Sequence, residues 1–155
     1  MVAAFAAAAR LGIMIKHTMT LESAAGVDTV IMDKTGTLTT GNFAVSRLAP
    51  ADGAEGAALL QAAADAEQHS NHPLAKSILE TATQANISPG SVDNYEEVHG
   101  RGVIAHTGGE DIYAGRGAWL SELNSSVTDQ VNAVSEKIEG MSTVHIMRGT
   151  QYLGA

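Results

Sequence analysis

The stretch Val27-Asp28-Thr29-Val30-Ile31-Met32 runs without a break into Asp33-Lys34-Thr35-Gly36-Thr37-Leu38-Thr39, and this junction limits the possible folds more than any other. Its β-branched residues and apolar end suit a strand buried on both faces, as in a parallel sheet. A carboxylate at the C-terminal end of such a strand stands where open α/β sheets present their ligands. Gly36 removes a side chain that would obstruct an approaching group, and the backbone N–H groups of that turn can cradle a phosphoryl group. An aspartate so placed can act as a nucleophile and form an acyl-phosphate. Thr35, two residues on, cannot serve as an acid or base for water, so such a phospho-aspartate is expected to persist. Lys34, Thr35 and Thr37 add charge and hydroxyls beside it.

Around this junction the pattern alternates between helices and short strands. Residues 1 to about 25 read as Ala-rich helix, with a second stretch from Thr20 to Ala25 closed by Gly26. Phe43 to Leu48 reads as a half-exposed strand, followed by a turn over 50–53. Helices are expected over about 55–67 and 73–85, separated by His69-Ser70-Asn71-His72-Pro73. Proline is tolerated in the first turn of a helix and holds the residue before it out of helical geometry. His72 is therefore expected at a helix entrance, its ring able to meet a ligand, with Glu67 beside it. Short strands fill 95–114, with a hairpin at Gly108-Gly109. Helices follow over 118–123 and 127–138, the second placing Val127, Val131, Val134 and Ile138 on one face. A last hairpin joins 143–147 to 151–153, and the chain stops there without a capping element, which reads as a cut.

Charge and composition narrow the function. Nine Lys and Arg against seventeen Asp and Glu give a net charge of −8, a poor basis for binding a nucleic-acid backbone. The absence of cysteine excludes disulfides, thiolate metal sites and a cysteine nucleophile. The longest apolar run, Met1 to Ala9, stops at Arg10, short of the roughly 20 residues that span a bilayer, and no basic segment precedes it as in a signal peptide. No direct membrane insertion is expected. Met14, Met19 and Met32 read as packing residues rather than copper ligands. His69 and His72 straddle the Pro73 break with no third ligand nearby, and His17, His99, His106 and His145 read as surface or strand residues.

The motifs resemble one family. Asp33-Lys34-Thr35-Gly36-Thr37-Leu38-Thr39 is similar to the phosphorylation signature of the P-type ATPases, in the haloacid dehalogenase-like superfamily. Ser70-Asn71-His72-Pro73-Leu74-Ala75 resembles the nucleotide-domain signature of their heavy-metal-transporting (type IB) branch, with Asn71 where that signature has an acid. Gly100-Arg101-Gly102-Val103 resembles its Gly-x-Gly-Val/Ile loop. Gly115-Arg116 corresponds to a later Gly-Asn pair, from which Arg116 departs.

The resemblance implies an α/β chain in two parts. Residues 1–42 would open a Rossmannoid phosphorylation domain with its lead-in helix. Residues 43–155 would form most of an α+β nucleotide-binding domain, an antiparallel sheet flanked by helices. It further implies that Asp33 takes the γ-phosphate of ATP, with Lys34, Thr35 and Thr37 around the phosphoryl group. Mg²⁺ would be held by the Asp33 carboxylate and the Thr35 main-chain carbonyl. Glu67, His72, Gly100, Gly102 and Gly115 would surround the nucleotide. The parent would be an ATP-driven heavy-metal pump, for copper or silver, with this stretch on the cytoplasmic side of a membrane. Its partners would be the rest of the phosphorylation domain, an actuator domain and membrane helices. No Thr-Gly-Glu loop or Gly-Asp-Gly-x-Asn-Asp motif occurs in this sequence, so the chain alone is expected to bind ATP without turnover. Two alternatives are a nucleotide-binding module with Asp33 idle, and a haloacid dehalogenase-type phosphatase, against which Thr35 argues.

Overall fold

A computed structural model of the chain describes residues 2–33, 37–38 and 43–155. Two compact units divide it, residues 1–41 and 42–155. In the first, α1 (Val2–Arg10) forms from Ala-rich sequence of high helix propensity, α2 spans Thr18–Ala24, and neither buries a residue. The helix expected across the first 25 residues is broken after Arg10. Gly12 adopts φ +74°, its N–H donates to the Ala9 carbonyl at 3.1 Å, and the N–H of Ile13 donates to Ala8 at 2.9 Å. That pattern closes a helix at a left-handed glycine.

The strand expected over 27–32 is not formed. Residues 27–33 carry no strand pairing and are exposed, Ile31 to 96%. A strand buried on both faces needs paired neighbours, and all five strands of the described residues lie between 94 and 154. Asp33, Thr37 and Leu38 are exposed. Lys34, Thr35, Gly36 and Thr39 lie outside the described residues.

The second unit is a three-layer structure. It runs α3 (Gly56–Glu67), α4 (Pro73–Gln84), β1 (Asn94–Val98), β2 (Gly102–Thr107), β3 (Glu110–Gly115), α5 (Gly117–Leu123), α6 (Thr128–Lys137), β4 (His145–Arg148) and β5 (Gln151–Gly154). The strands pair antiparallel in the order β1-β2-β3-β4-β5. Alternate residues then face opposite layers. Val103, Ala105, Ile112, Ala114, Ile146 and Leu153 pack on Leu59, Leu60 and the small residues of α3. On the other face Met147 and Tyr152 meet Trp119, Leu120, Val131 and Val134 of α5 and α6.

Phe43 to Leu48 does not form the expected strand. Pairing begins later, where Ala49 and Ala155 exchange both backbone hydrogen bonds at 2.8 and 3.1 Å and Ala51 N–H donates to Leu153 at 3.0 Å. This covers the outer edge of β5, a position that would otherwise leave backbone groups unpaired.

His145 lies in β4 and is 2% exposed, its Nδ1 2.7 Å from the Tyr152 hydroxyl oxygen. Burial pulls the imidazole pKa below its ordinary value and pushes the Tyr152 phenol up. The folded state therefore favours neutral His145, while the unfolded chain takes up a proton below its own pKa of about 6.5. Stability from this group is complete above that value and is lost as the pH falls through it. His145→Gln should lower the melting temperature at pH 7.5 yet reduce its decline between pH 7.5 and 5. Parallel declines in the two proteins would contradict this account.

Candidate functional site

The end of the sheet where β1 and β3 finish and β2 and β4 begin meets the turn between α3 and α4. Between them lies a cleft of ≈ 540 Å³. Glu67, His72, Gly100, Gly102 and Gly115, the residues singled out in the sequence, all line it. They come from motifs far apart in the chain, and only the folding of β1–β3 against α3 and α4 brings them together.

The α3–α4 turn fixes His72. It is the N-cap of α4 in extended geometry (φ −69°, ψ 140°), with Pro73 as the first helical residue. Its Nδ1 accepts a hydrogen bond from Leu74 N–H at 3.2 Å, and its own N–H donates to Ser70 Oγ at 3.2 Å. An Nδ1 that accepts leaves the proton of the neutral ring on Nε2. His72 therefore presents Nε2–H as a donor from an exposed ring at the cleft.

Glu67 closes α3 and is 7% exposed. Its carboxyl pKa is pushed up, first by burial, with the Ser70 hydroxyl opposing the rise and Glu97 adding to it. A carboxyl that holds its proton more firmly can donate as well as accept a hydrogen bond. Behind this corner His69 meets Tyr95 edge-on, ring centres 5.9 Å apart.

The glycines divide by role. Gly100 sits at φ +72° in the turn from β1 to β2, with open space where a side chain would start. Gly102 and Gly115 are register partners across β2 and β3. A Cβ on Gly102 would strike the Ala114 carbonyl oxygen and come within 2.8 Å of Trp119 Cζ3; one on Gly115 would lie 2.9 Å from Trp119 Cε3. The close approach that demands glycine here is that of a neighbouring strand and an indole. Glu97, Thr143 and Val144 also line the cleft. They belong to no motif: Glu97 is placed by the β1–β2 register opposite Val103, and Thr143 and Val144 lie just before β4.

Asp33 and Thr37 belong to the other unit, and Lys34 and Thr35 fall outside the described residues. Among the described residues no cluster of three or more His, Cys, Asp or Glu is arranged to hold a metal ion, and no helix is long and apolar enough to cross a membrane.

A model of the haloacid dehalogenase-like hydrolases matches residues 27–152. The chain is 36% identical over 149 residues to a cadmium, zinc and cobalt-transporting ATPase of Bacillus subtilis, covering 96% of this chain and 20% of that protein. It is 41% identical over 115 residues to a copper-exporting P-type ATPase of Vibrio cholerae, covering 74% of this chain and 12% of that one. The chain thus spans a fifth or less of these relatives. Among solved structures, a zinc-transporting PIB-type ATPase in an E2·Pi state superposes with a TM-score of 0.63 at 30% identity, over 79% of this chain and 20% of that one. The N-domain of HMA8, a copper-transporting P-type ATPase, superposes with a TM-score of 0.62 at 24% identity, over 72% of this chain and 95% of that one. This last likeness is one of fold.

Gly102→Ala should destabilise the protein by about 1–3 kcal/mol, the usual cost of forcing atoms into a packed site, measured by urea unfolding. A variant as stable as the parent chain would show that β2, β3 and Trp119 can part without cost.

Proposed function

The chain belongs to the haloacid dehalogenase-like hydrolase family, and from that premise we propose that it is the ATP-binding and phosphoryl-accepting segment of a metal-transporting P-type ATPase. The convergence of Glu67, His72, Gly100, Gly102 and Gly115 on one cleft carries this reading. Residues 43–155 act as the nucleotide-binding domain, and residues 1–42 open the phosphorylation domain. The cleft fits a nucleotide: Glu67 and the Nε2–H of His72 offer hydrogen bonds, and Arg101 and Arg116 line the same space. Pockets for small ligands combine such placed polar groups with apolar walls, here Leu74, Val103 and Val144.

In phosphoryl transfer an Asp33 carboxylate oxygen attacks the γ-phosphorus, the bond to the β–γ bridging oxygen breaks, and ADP leaves with that electron pair. Mg²⁺, when bound, would supply charge neutralisation on the phosphates. Asp33 and the Thr35 carbonyl are the groups proposed for it. Thr35 supplies no base for water, so the acyl-phosphate persists until another part of the pump removes it. Alone, the chain binds ATP without turning it over. The pump's cargo is a transition-metal ion, copper or silver first. Similarity of this stretch to cadmium, zinc and cobalt pumps as well as copper pumps is what a segment without the ion-selecting residues would display.

Two measurements test the reading. His72→Ala should weaken ATP binding by about 1–3 kcal/mol, the cost of leaving a polar group of the bound nucleotide without its partner, in a calorimetric titration; unchanged affinity removes His72 from the site. With Mg²⁺, γ-labelled ATP and the rest of the pump supplied, acid-stable, hydroxylamine-labile label should appear and vanish in Asp33→Asn. Binding without label in that assembly would leave a nucleotide-binding module, and phosphate release from small esters would favour a phosphatase.

A further inference from the structure

The cleft carries both signs of charge: Glu67 and Glu97 line it, and so do two cations. Those cations, Arg101 and Arg116, are neighbours: Arg116 N–H donates to the Arg101 carbonyl at 3.0 Å, across the register pair Gly102–Gly115. In a chain with only nine Lys and Arg, two at one edge of one cleft is a local concentration of positive charge within an acidic protein.

The two are not equivalent. Arg101 Nη1 is 2.6 Å from Glu122 Oε2, an ion pair that occupies and largely neutralises it. Arg116 lines the cleft, is exposed, and makes no side-chain hydrogen bond or ion pair among the described residues. Its backbone is nonetheless held, since Arg116 O accepts from both Trp119 and Leu120 N–H at 3.0 and 3.2 Å. A planar fork of donors on a fixed backbone, with no internal carboxylate to satisfy it, suits a phosphate.

Resting on the nucleotide reading above, we propose that Arg116 is the residue that recognises the polyphosphate. Affinity then depends on the number of phosphates through this one side chain.

Calorimetric titrations of the full chain with adenosine, AMP, ADP and ATP test this. In Arg116→Ala the ATP affinity should fall about tenfold, as expected for loss of one charge-assisted hydrogen-bonding group. ADP should lose less, AMP less again, and adenosine nothing. Arg116→Lys should recover part of the ATP affinity, and the difference between parent and variant should shrink at high salt. An equal loss for adenosine and ATP, or no loss for either, would overturn the assignment while leaving the nucleotide site intact. If the parent chain binds neither adenosine nor ATP, the nucleotide reading fails and this assignment with it. Because the Arg116 side chain is exposed and makes no hydrogen bond or ion pair among the described residues, an unchanged melting temperature in Arg116→Ala should confirm that the fold is kept.

Discussion

The indole of Trp119 lies across two facing glycines, and the working end of the sheet depends on that contact. Gly102 and Gly115 let β2 and β3 approach with a flat ring packed over the junction. With the junction closed from the α5–α6 side, the same strand ends turn their other surface and their connecting loops toward α3 and α4. The β1–β2 turn carries Gly100 and Arg101, and the residue after β3 is Arg116; both are placed by the pairing the glycines permit. His72, capping α4, supplies the opposite wall. The cleft is thus a by-product of how tightly two strands can meet, and side chains larger than hydrogen at that point would reshape it.

Much of the second unit was legible in the sequence because its signals are local. Pro73 fixed the start of α4, and valines spaced along 127–138 marked α6, which the structure gives as Thr128–Lys137. The hairpin at Gly108-Gly109 and the final hairpin followed from turn chemistry. The motif residues were legible as a set, and folding brings the five from this unit into one cleft. What local pattern could not supply was pairing between distant residues. Apolar content made 43–48 resemble a strand, yet edge pairing with β5 begins at Ala49, where the backbone meets Ala155. His145 looked like any strand histidine; its burial arises because Gly117 of α5 and Val131 of α6 close over that face. The segment 27–32 has the composition of a buried strand but no partner strand among the described residues, so composition alone misled.

The glycines of one cleft are required for different physical reasons. A Gly-x-Gly near a ligand site invites the conclusion that a ligand needs the room. At Gly102 and Gly115 protein atoms already occupy it, while Gly100 alone combines a left-handed backbone with open space. Gly100 is thus the glycine of the three at which the main chain is open to a guest.

The central claim is that one cleft, built from Glu67, His72 and the glycine turns, takes up ATP. Amide-resolved NMR of the full chain during an ATP titration tests it most directly. The account predicts saturable shifts at Glu67, Ser70, His72, Gly100, Gly102, Gly115 and Arg116. Saturable shifts confined to residues away from that cleft, or none at millimolar ATP, would contradict it.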